Sequence, residues 1–363
     1  MERVLQFGTG RFLRGFVEAF IDDIERSREA AGQSPGRRVT VVETSGSGMA
    51  GRLASQGHAY ELRVLGLRDG AVVDTSRMIG VIDRSVDASE QLHDVVTAAL
   101  DPDLTMIVSN TTEQGYAPGR FPRLLAAVLA ARARALMPGI VILPCELIER
   151  NGDQLRRLVA DELALAQEEP AIAARVEAMN WWATTMVDRI VTAAPPGASV
   201  AADGLGVVVE PFASWVIEVA GDVPLLEHPS VARTTDVTPH SLRKIRILNG
   251  AHTALVAQTR GAGFEFVREA VEDPRVIDWL EGLLRDEVVP ALADRIPAGD
   301  DFVTTVLERL HNPYLDHSLT DIATNHEQKL RLRLLPTHDE YVRLRGHPPR
   351  RLAALLAQEG VLA

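Results

Sequence analysis

Three polar residues in an apolar stretch of this 363-residue chain have the types and spacing of a proton-transfer site. Lys244, Asn249 and His252 stand as K-x4-N-x2-H, with Ile245, Ile247, Leu248, Ala251, Ala254 and Leu255 around them. A helix that is apolar on most sides is buried. At about 100° per residue the three side chains fall within an arc of roughly 140°, so they can converge on one cavity. A desolvated lysine there can lose its proton near neutral pH and act as a general base. Asparagine offers an amide donor to a developing alkoxide. Histidine can orient a hydroxyl or tune the lysine. The same residues also admit a structural reading, with Lys244 snorkelling to water, Asn249 capping a kink at Gly250 and His252 satisfied in a core. Composition bears on the choice. Lys244 and Lys329 are the only lysines among 38 basic residues, the rest being arginine. Arginine cannot give up its proton at usable pH, so these two positions are candidates for sites where arginine would fail.

A second signal lies at the start. The strand-like run Val4 to Phe7 leads into Gly8-Thr9-Gly10-Arg11-Phe12-Leu13-Arg14-Gly15 and then a helical pattern. Strand, glycine loop, helix is the layout of a dinucleotide-binding turn. The first glycine allows a tight turn and the second lets the backbone approach a pyrophosphate. The third glycine comes two residues later than in the usual pattern. Gly8, Gly10, Arg11 and Phe12 are therefore candidate cofactor residues. Glu43 ends the next strand, where a carboxylate can accept from the ribose hydroxyls of NAD and repel the extra phosphate of NADP; a plain surface glutamate is the alternative.

The elements that would position these residues follow an alternating rhythm. Arg11 to Arg28 reads as an amphipathic helix. Arg38 to Glu43, Leu104 to Ser109 and Gly139 to Leu143 read as buried strands, with a helix around Pro122 to Met137 between the last two. Tyr60 to Leu67 and Ala71 to Thr75 pair across the Asp69-Gly70 turn. Gly204 to Glu210 and Ser214 to Val219 are further strands. From Thr238 on, the pattern is helical. The expectation is an α/β protein: a Rossmann-type dinucleotide-binding domain with inserted strands over 1–235 and a mainly α-helical substrate domain over 236–363.

Composition narrows the class. A net charge of −12 argues against general nucleic-acid affinity. No run of 18 apolar residues predicts a membrane helix, and the start lacks a signal-peptide layout. One cysteine, Cys145, excludes an internal disulfide. A cytoplasmic protein is the simplest expectation. No histidine–carboxylate group has zinc-ligand spacing, so no metal is expected.

Several blocks together resemble the polyol-specific long-chain dehydrogenases, the family containing mannitol 2-dehydrogenase, fructuronate reductase and tagaturonate reductase, and are closest to the last branch. The blocks are LQFGTGRFLRGF at 5–16, SNTTEQGY at 109–116, PCELIERNG at 144–152, MVDRIV at 186–191, KIRILNGAHTAL at 244–255 and HNPYLDHSLTDIATNHEQKLRLRLLP at 311–336. The resemblance implies NAD as cofactor and a secondary alcohol or ketone of a sugar acid or polyol as substrate, with the active site between the two domains. It makes Lys244 the base, Asn249 an oxyanion partner and His252 a substrate ligand. It casts Asn151 as the second oxyanion donor, Asp188 as a substrate-side carboxylate, and Asn110, Thr111 and Glu113 as residues facing the cofactor. Lys329 becomes a cation for an acidic substrate, with Arg309, His311 and His317 as weaker candidates for the same wall. Arg331 and Arg333 read as a solvated basic face. After the last matched block the chain is shorter than its relatives, so the helical domain is expected in a shortened form. A sugar, cyclitol or polyol-phosphate dehydrogenase, and a non-catalytic NAD-binding module, remain as alternatives. The sequence leaves monomer and small homo-oligomer open.

Overall fold

The computed structural model describes residues 1–193 and 204–362, apart from the side chain of Glu113. The chain divides into two units: residues 1–64 with 74–237, and residues 65–73 with 238–363.

The first unit is built on strands whose apolar, β-branched runs require cover on both faces. They are β1 (Glu2–Phe7), β2 (Arg37–Glu43), β3 (Tyr60–Arg68), β4 (Ala71–Ile79), β5 (Ile82–Asp87), β6 (Leu104–Ser109), β7 (Val141–Pro144), β8 (Trp181–Trp182), β9 (Thr184–Asp188), β10 (Val191–Ala193), β11 (Val207–Val209), β12 (Ser214–Glu218) and β13 (Val231–Thr234). The main sheet has the order β5-β2-β1-β6-β7-β8, and its pairings are parallel throughout. Helices Leu92–Ala99, Phe121–Arg134, Asn151–Leu165 and Pro170–Met179 run between its strands. Leu125, Val128 and Leu129 of the second of these helices pack with Phe7, Ile107 and Ile142 of the sheet. Two smaller sheets, β10-β11-β3-β4 and β13-β12-β9, hold the inserted strands.

The helix expected over Arg11 to Arg28 is two helices, Arg11–Gly15 and Val17–Ala30, separated at Phe16, whose φ is −125° and ψ −82°. Packing explains the break. A Cβ on Gly15 would stand 2.7 Å from methyls of both Val191 and Val209, so β10 and β11 press directly on the backbone there. Phe16 turns inward against Trp215, ring centroids 5.6 Å apart. Strand β5 was not expected: its Asp83, Arg84 and Ser85 dilute the apolar signal of Ile82 and Val86.

The second unit is helical apart from the β3–β4 hairpin tip, which belongs to it. Asn312 Nδ2 donates to Leu65 O at 3.3 Å and Gly70 N to Glu308 Oε1 at 2.6 Å. Three of its helical stretches contain π turns, at Lys244–Leu248, Leu284–Val288 and Leu330–Leu334. The helix Asn249–Thr259 packs on the last of these, where a Cβ on Gly250 would meet Leu334 at 3.4 Å. No helix among the described residues is long and apolar enough to cross a membrane.

Close backbone approach gives a first test. A Cβ added at Gly152 would run into the Ala183 carbonyl, which is backbone and cannot swing aside. Gly152→Ala should lower unfolding stability by about 1–3 kcal/mol, read as a lower urea midpoint. An unchanged midpoint would show that the approach has slack.

Candidate active site

The first unit gathers its candidates at the C-terminal edge of the main sheet. Phe7 is in register with Val42 on one side and Ser109 on the other, so Gly8, Glu43 and Asn110 lie side by side just beyond the strands. β1 sits where strand order diverges, toward β2 one way and β6 the other, the usual ligand position in such sheets. Gly8 has φ +114°, and a Cβ there would stand 2.6 Å from Asn110 O. Glycine is thus required by both conformation and space. Gly10 is exposed, and a Cβ on it would meet nothing within 4 Å. Arg11 is exposed, and Phe12 is half-buried and stacked on Phe16 at 4.9 Å.

Asn110 and Thr111 are held by partners that the sequence did not reveal. Asn110 Nδ2 donates to Cys145 O at 2.8 Å. Thr111 N and Oγ1 donate to Glu146 Oε1 at 2.9 and 3.2 Å. The other Glu146 oxygen accepts from Ser109 Oγ at 3.0 Å and Tyr116 Oη at 3.2 Å. Burial raises the Glu146 carboxyl above the usual range. A glutamate inside an apolar strand-end block was the available signal for this role. The side chain of Glu113 lies outside the described residues; its backbone opens the short turn Glu113–Tyr116.

Two of the expected contact residues are buried and bonded within the chain. Glu43, expected at a ribose, is fully buried. One carboxylate oxygen accepts from Ser47 Oγ at 2.8 Å and Gly48 N at 2.9 Å, the other from Ala50 N at 2.7 Å. Free amides at the start of the helix Met49–Ser55 draw the carboxylate inward. Asn151 is buried too, and its amide is fully engaged. Nδ2 points at the carbonyls of Pro144, Glu146 and Thr185 at 3.0–3.1 Å. Oδ1 accepts from Gly152 N and Thr185 N, both at 2.9 Å. With two hydrogens and three main-chain acceptors, the amide has no donor left for an oxyanion. It stitches the β7 loop to β9. Asp188, at the end of β9, is buried. The neighbouring Arg189 directs its guanidinium at the carbonyls of Gly15 and Glu210.

The second unit brings together Lys244, Asn249 and His252. Lys244 opens a π turn, and its carbonyl accepts from Asn249 N. The extra residue in that turn brings Asn249 closer to one full turn from Lys244 than α-helical spacing would. π turns recur at functional sites. Lys244 and Asn249 are half-buried. The Asn249 side-chain amide makes no hydrogen bond among the described residues, in contrast to Asn151. His252 Nδ1 lies 2.9 Å from Leu248 O. That contact places the hydrogen on Nδ1 and leaves Nε2 as an acceptor. Burial lowers His252 to about 3, with His317, Arg309 and Arg333 adding repulsion. It is therefore neutral at ordinary pH. The His252 and His317 rings are 4.9 Å apart.

Cations border this pair. Arg309 is buried. Lys329 is half-buried, donates to Ile322 O at 2.8 Å, and is lowered by burial and by Arg333. Arg333 turns inward, its Nη1 3.2 Å from Thr253 Oγ1 and 3.5 Å from Asn249 O. The solvated-face expectation thus holds for Arg331, which is exposed and pairs with Glu327, and fails for Arg333. His311 Nδ1 donates locally to Leu307 O at 2.7 Å.

The Rossmann-domain pattern of the mannitol dehydrogenases matches residues 2–224, and their C-terminal-domain pattern matches 236–359. The chain belongs to the mannitol dehydrogenase family. It is 34% identical to altronate oxidoreductase of Bacillus subtilis strain 168, over 97% of this chain and 77% of that one. Identity is 32% with altronate oxidoreductase of Escherichia coli O139:H28, over 98% and 78%. Among solved structures it shares the fold of a D-sorbitol dehydrogenase, with TM-score 0.84, 22% identity and coverage of 98% and 79%. It shares the fold also of Pseudomonas fluorescens mannitol 2-dehydrogenase, solved with NAD and D-mannitol, with TM-score 0.76, 22% identity and coverage of 98% and 78%.

The histidine yields a pH prediction. A histidine whose folded pKa lies below its unfolded value of about 6.5 takes up its proton only on unfolding. Stability should therefore fall as pH drops from about 6.5 toward 3, with a limiting slope of about 1.4 kcal/mol per pH unit. His252→Gln should flatten this limb in denaturant melts at stepped pH. An identical limb in wild type and variant would move the effect to other groups.

Proposed function

We propose that this chain is an NAD-dependent oxidoreductase that interconverts a secondary alcohol and a ketone of a sugar acid. The observation that carries the reading is the Lys244–Asn249–His252 set, on the π turn Lys244–Leu248 and the helix that continues it, bordered by Lys329 and Arg333. Family membership and the altronate oxidoreductase relatives support the reaction class. The glycine loop supports the cofactor: Gly8 is forced by the Asn110 carbonyl, and Gly10 leaves open space. NAD, when bound there, accepts or supplies the hydride at the substrate carbon.

The chain's own residues handle the proton and the charge. In oxidation Lys244 Nζ takes the hydroxyl proton, and the electron pair left on oxygen closes the carbonyl as the hydride leaves. In reduction Lys244 returns that proton. Asn249 donates to the oxygen while it carries negative charge. His252, neutral with Nε2 free to accept, orients a neighbouring substrate hydroxyl. Lys329 and Arg333 supply positive charge for the substrate carboxylate, with Arg309 and His317 as further lining. Asn151 acts by fixing the β7 loop, and Glu43 by fixing the loop after β2, so both position rather than touch the reacting groups. Asp188 is retained as a candidate substrate-side carboxylate.

Two experiments test this. Lys244→Arg should keep the melting behaviour and lose most turnover, because arginine holds its proton. A rate within about threefold of wild type, under about 0.7 kcal/mol of barrier, would remove Lys244 as the base. Lys329→Met and Arg333→Met should each raise KM for the sugar acid by roughly ten- to a hundredfold, the loss of one charge-assisted hydrogen bond, and change KM for a neutral polyol little. Equal losses on both substrates would make these cations structural. A wild type that prefers the neutral polyol would overturn the sugar-acid assignment.

A further inference from the structure

Beneath the glycine loop lies a buried polar relay that the reaction does not use. Glu18, on the helix Val17–Ala30, is fully buried. Its Oε1 accepts from Gln6 Nε2 at 2.7 Å. The same nitrogen donates to Gly8 O at 3.0 Å. Tyr60 Oη lies 2.7 Å from Glu18 Oε2 and 2.8 Å from Arg14 O. Gln6 Oε1 is buried without a hydrogen-bond partner.

That unsatisfied oxygen is informative. A buried acceptor left unpaired is costly, yet the amide keeps this orientation, because both Glu18 Oε1 and Gly8 O demand a donor. Turned over, the amide would set its oxygen against two others. The peptide after Gly8 is planar and trans, so its carbonyl and the Thr9 N–H point in opposite directions. With Gly8 O drawn inward to Gln6, Thr9 N–H faces away from the core. It makes no hydrogen bond among the described residues.

We propose that Glu18 is a positioning residue of the dinucleotide site: through Gln6 it fixes the Gly8–Thr9 peptide so that Thr9 N–H is presented to the cofactor's pyrophosphate. The proposal rests on the dinucleotide reading of this loop. Proton counting bears on the state of the relay. Tyr60 has one hydrogen and two acceptors. Burial raises the Glu18 carboxyl above the usual range, which favours the acid form. The acid then donates from Oε2 to Tyr60 Oη, and Tyr60 donates to Arg14 O. Glu18 Oε1 stays an acceptor for Gln6 in either state, so the relay holds whether or not the proton is present. A glutamine at position 18 reproduces the acid form, with its Nε2 toward Tyr60 and its Oε1 toward Gln6.

The test measures binding, without turnover, in the full chain. NADH affinity is read by fluorescence titration. Adenosine affinity, read by calorimetry, is the control, because adenosine has the base and ribose but no phosphate. Gln6→Leu and Glu18→Met should each weaken NADH by roughly ten- to a hundredfold, the range for a lost charge-assisted hydrogen bond, with adenosine unchanged. Glu18→Gln should stay within about threefold of wild type for both ligands. Gln6→Leu is close in size to the native residue and serves if Glu18→Met fails to fold. NADH affinity in Gln6→Leu that matches wild type would overturn the proposal. So would equal losses of NADH and adenosine, or a Glu18→Gln variant as weak as Gln6→Leu. A wild-type chain that binds no NADH would overturn the dinucleotide reading itself, and this proposal with it.

Discussion

A polar side chain taken out of water must find a hydrogen-bond partner, or the fold loses about 1–3 kcal/mol for each one left unpaired. The C-terminal edge of the main sheet is built on that constraint. Glu18, Glu43, Glu146 and Asn151 are all buried. Each meets its requirement by reaching a loop or its immediate neighbour. Glu43 takes the amides of the loop after β2. Glu146 takes Thr111. Asn151 ties the β7 loop to β9. Glu18 reaches the glycine loop through Gln6. A loop that left its place would strand one of these groups. The loops at this sheet edge are therefore held from below; if they meet the cofactor as proposed, that cuts the ordering cost of binding.

The second unit shows the opposite arrangement. Lys329 and Arg333 are partly buried, and neither has a carboxylate partner among the described residues. Burial lowers both. Burial lowers His252 and His317, and the nearby cations add to it, Arg309 and Arg333 at His252 and Lys329 at His317; charge that is partly desolvated and not neutralised also raises the local potential. The two effects reinforce each other. A neutral imidazole can accept from a hydroxyl, and a cation beside it can take a carboxylate. Under the proposed function, such a surface would separate a sugar acid from a neutral polyol by charge more than by shape.

Much of this was legible in the sequence. The alternation of apolar runs gave the parallel sheet, and glycine placed just after β1 gave the loop, because both depend on local periodicity. K-x4-N-x2-H stood out by residue type and spacing, but the π turn at Lys244–Leu248 was not legible. Nor were the roles of Glu43 and Asn151. Each was picked out by position, but the partners it takes, such as Ala50 or Thr185, are set by tertiary packing. The break at Phe16 was hidden likewise, since it answers to Val191 and Val209 far along the chain. Arg333 was misplaced because helical spacing cannot foresee a π turn, and Leu330–Leu334 shifts every side chain after it.

The scarcity of lysine has a related lesson. Lys244 begins one π turn and Lys329 immediately precedes another. Each sits half-buried on the turn's shoulder. At position 329 the compact ammonium reaches Ile322 O at 2.8 Å, a single-point contact that a planar five-donor guanidinium would overshoot. Geometry alone is therefore enough to retain a lysine there. At position 244 the neighbours differ: an uncommitted amide at Asn249 and a neutral imidazole at His252, both suited to an oxygen that gains and loses charge. A lysine can stand where arginine would fail for shape as well as for proton transfer. Only the surrounding donors and acceptors separate the two causes, and in the proposed reaction they favour Lys244 as the group that moves the proton.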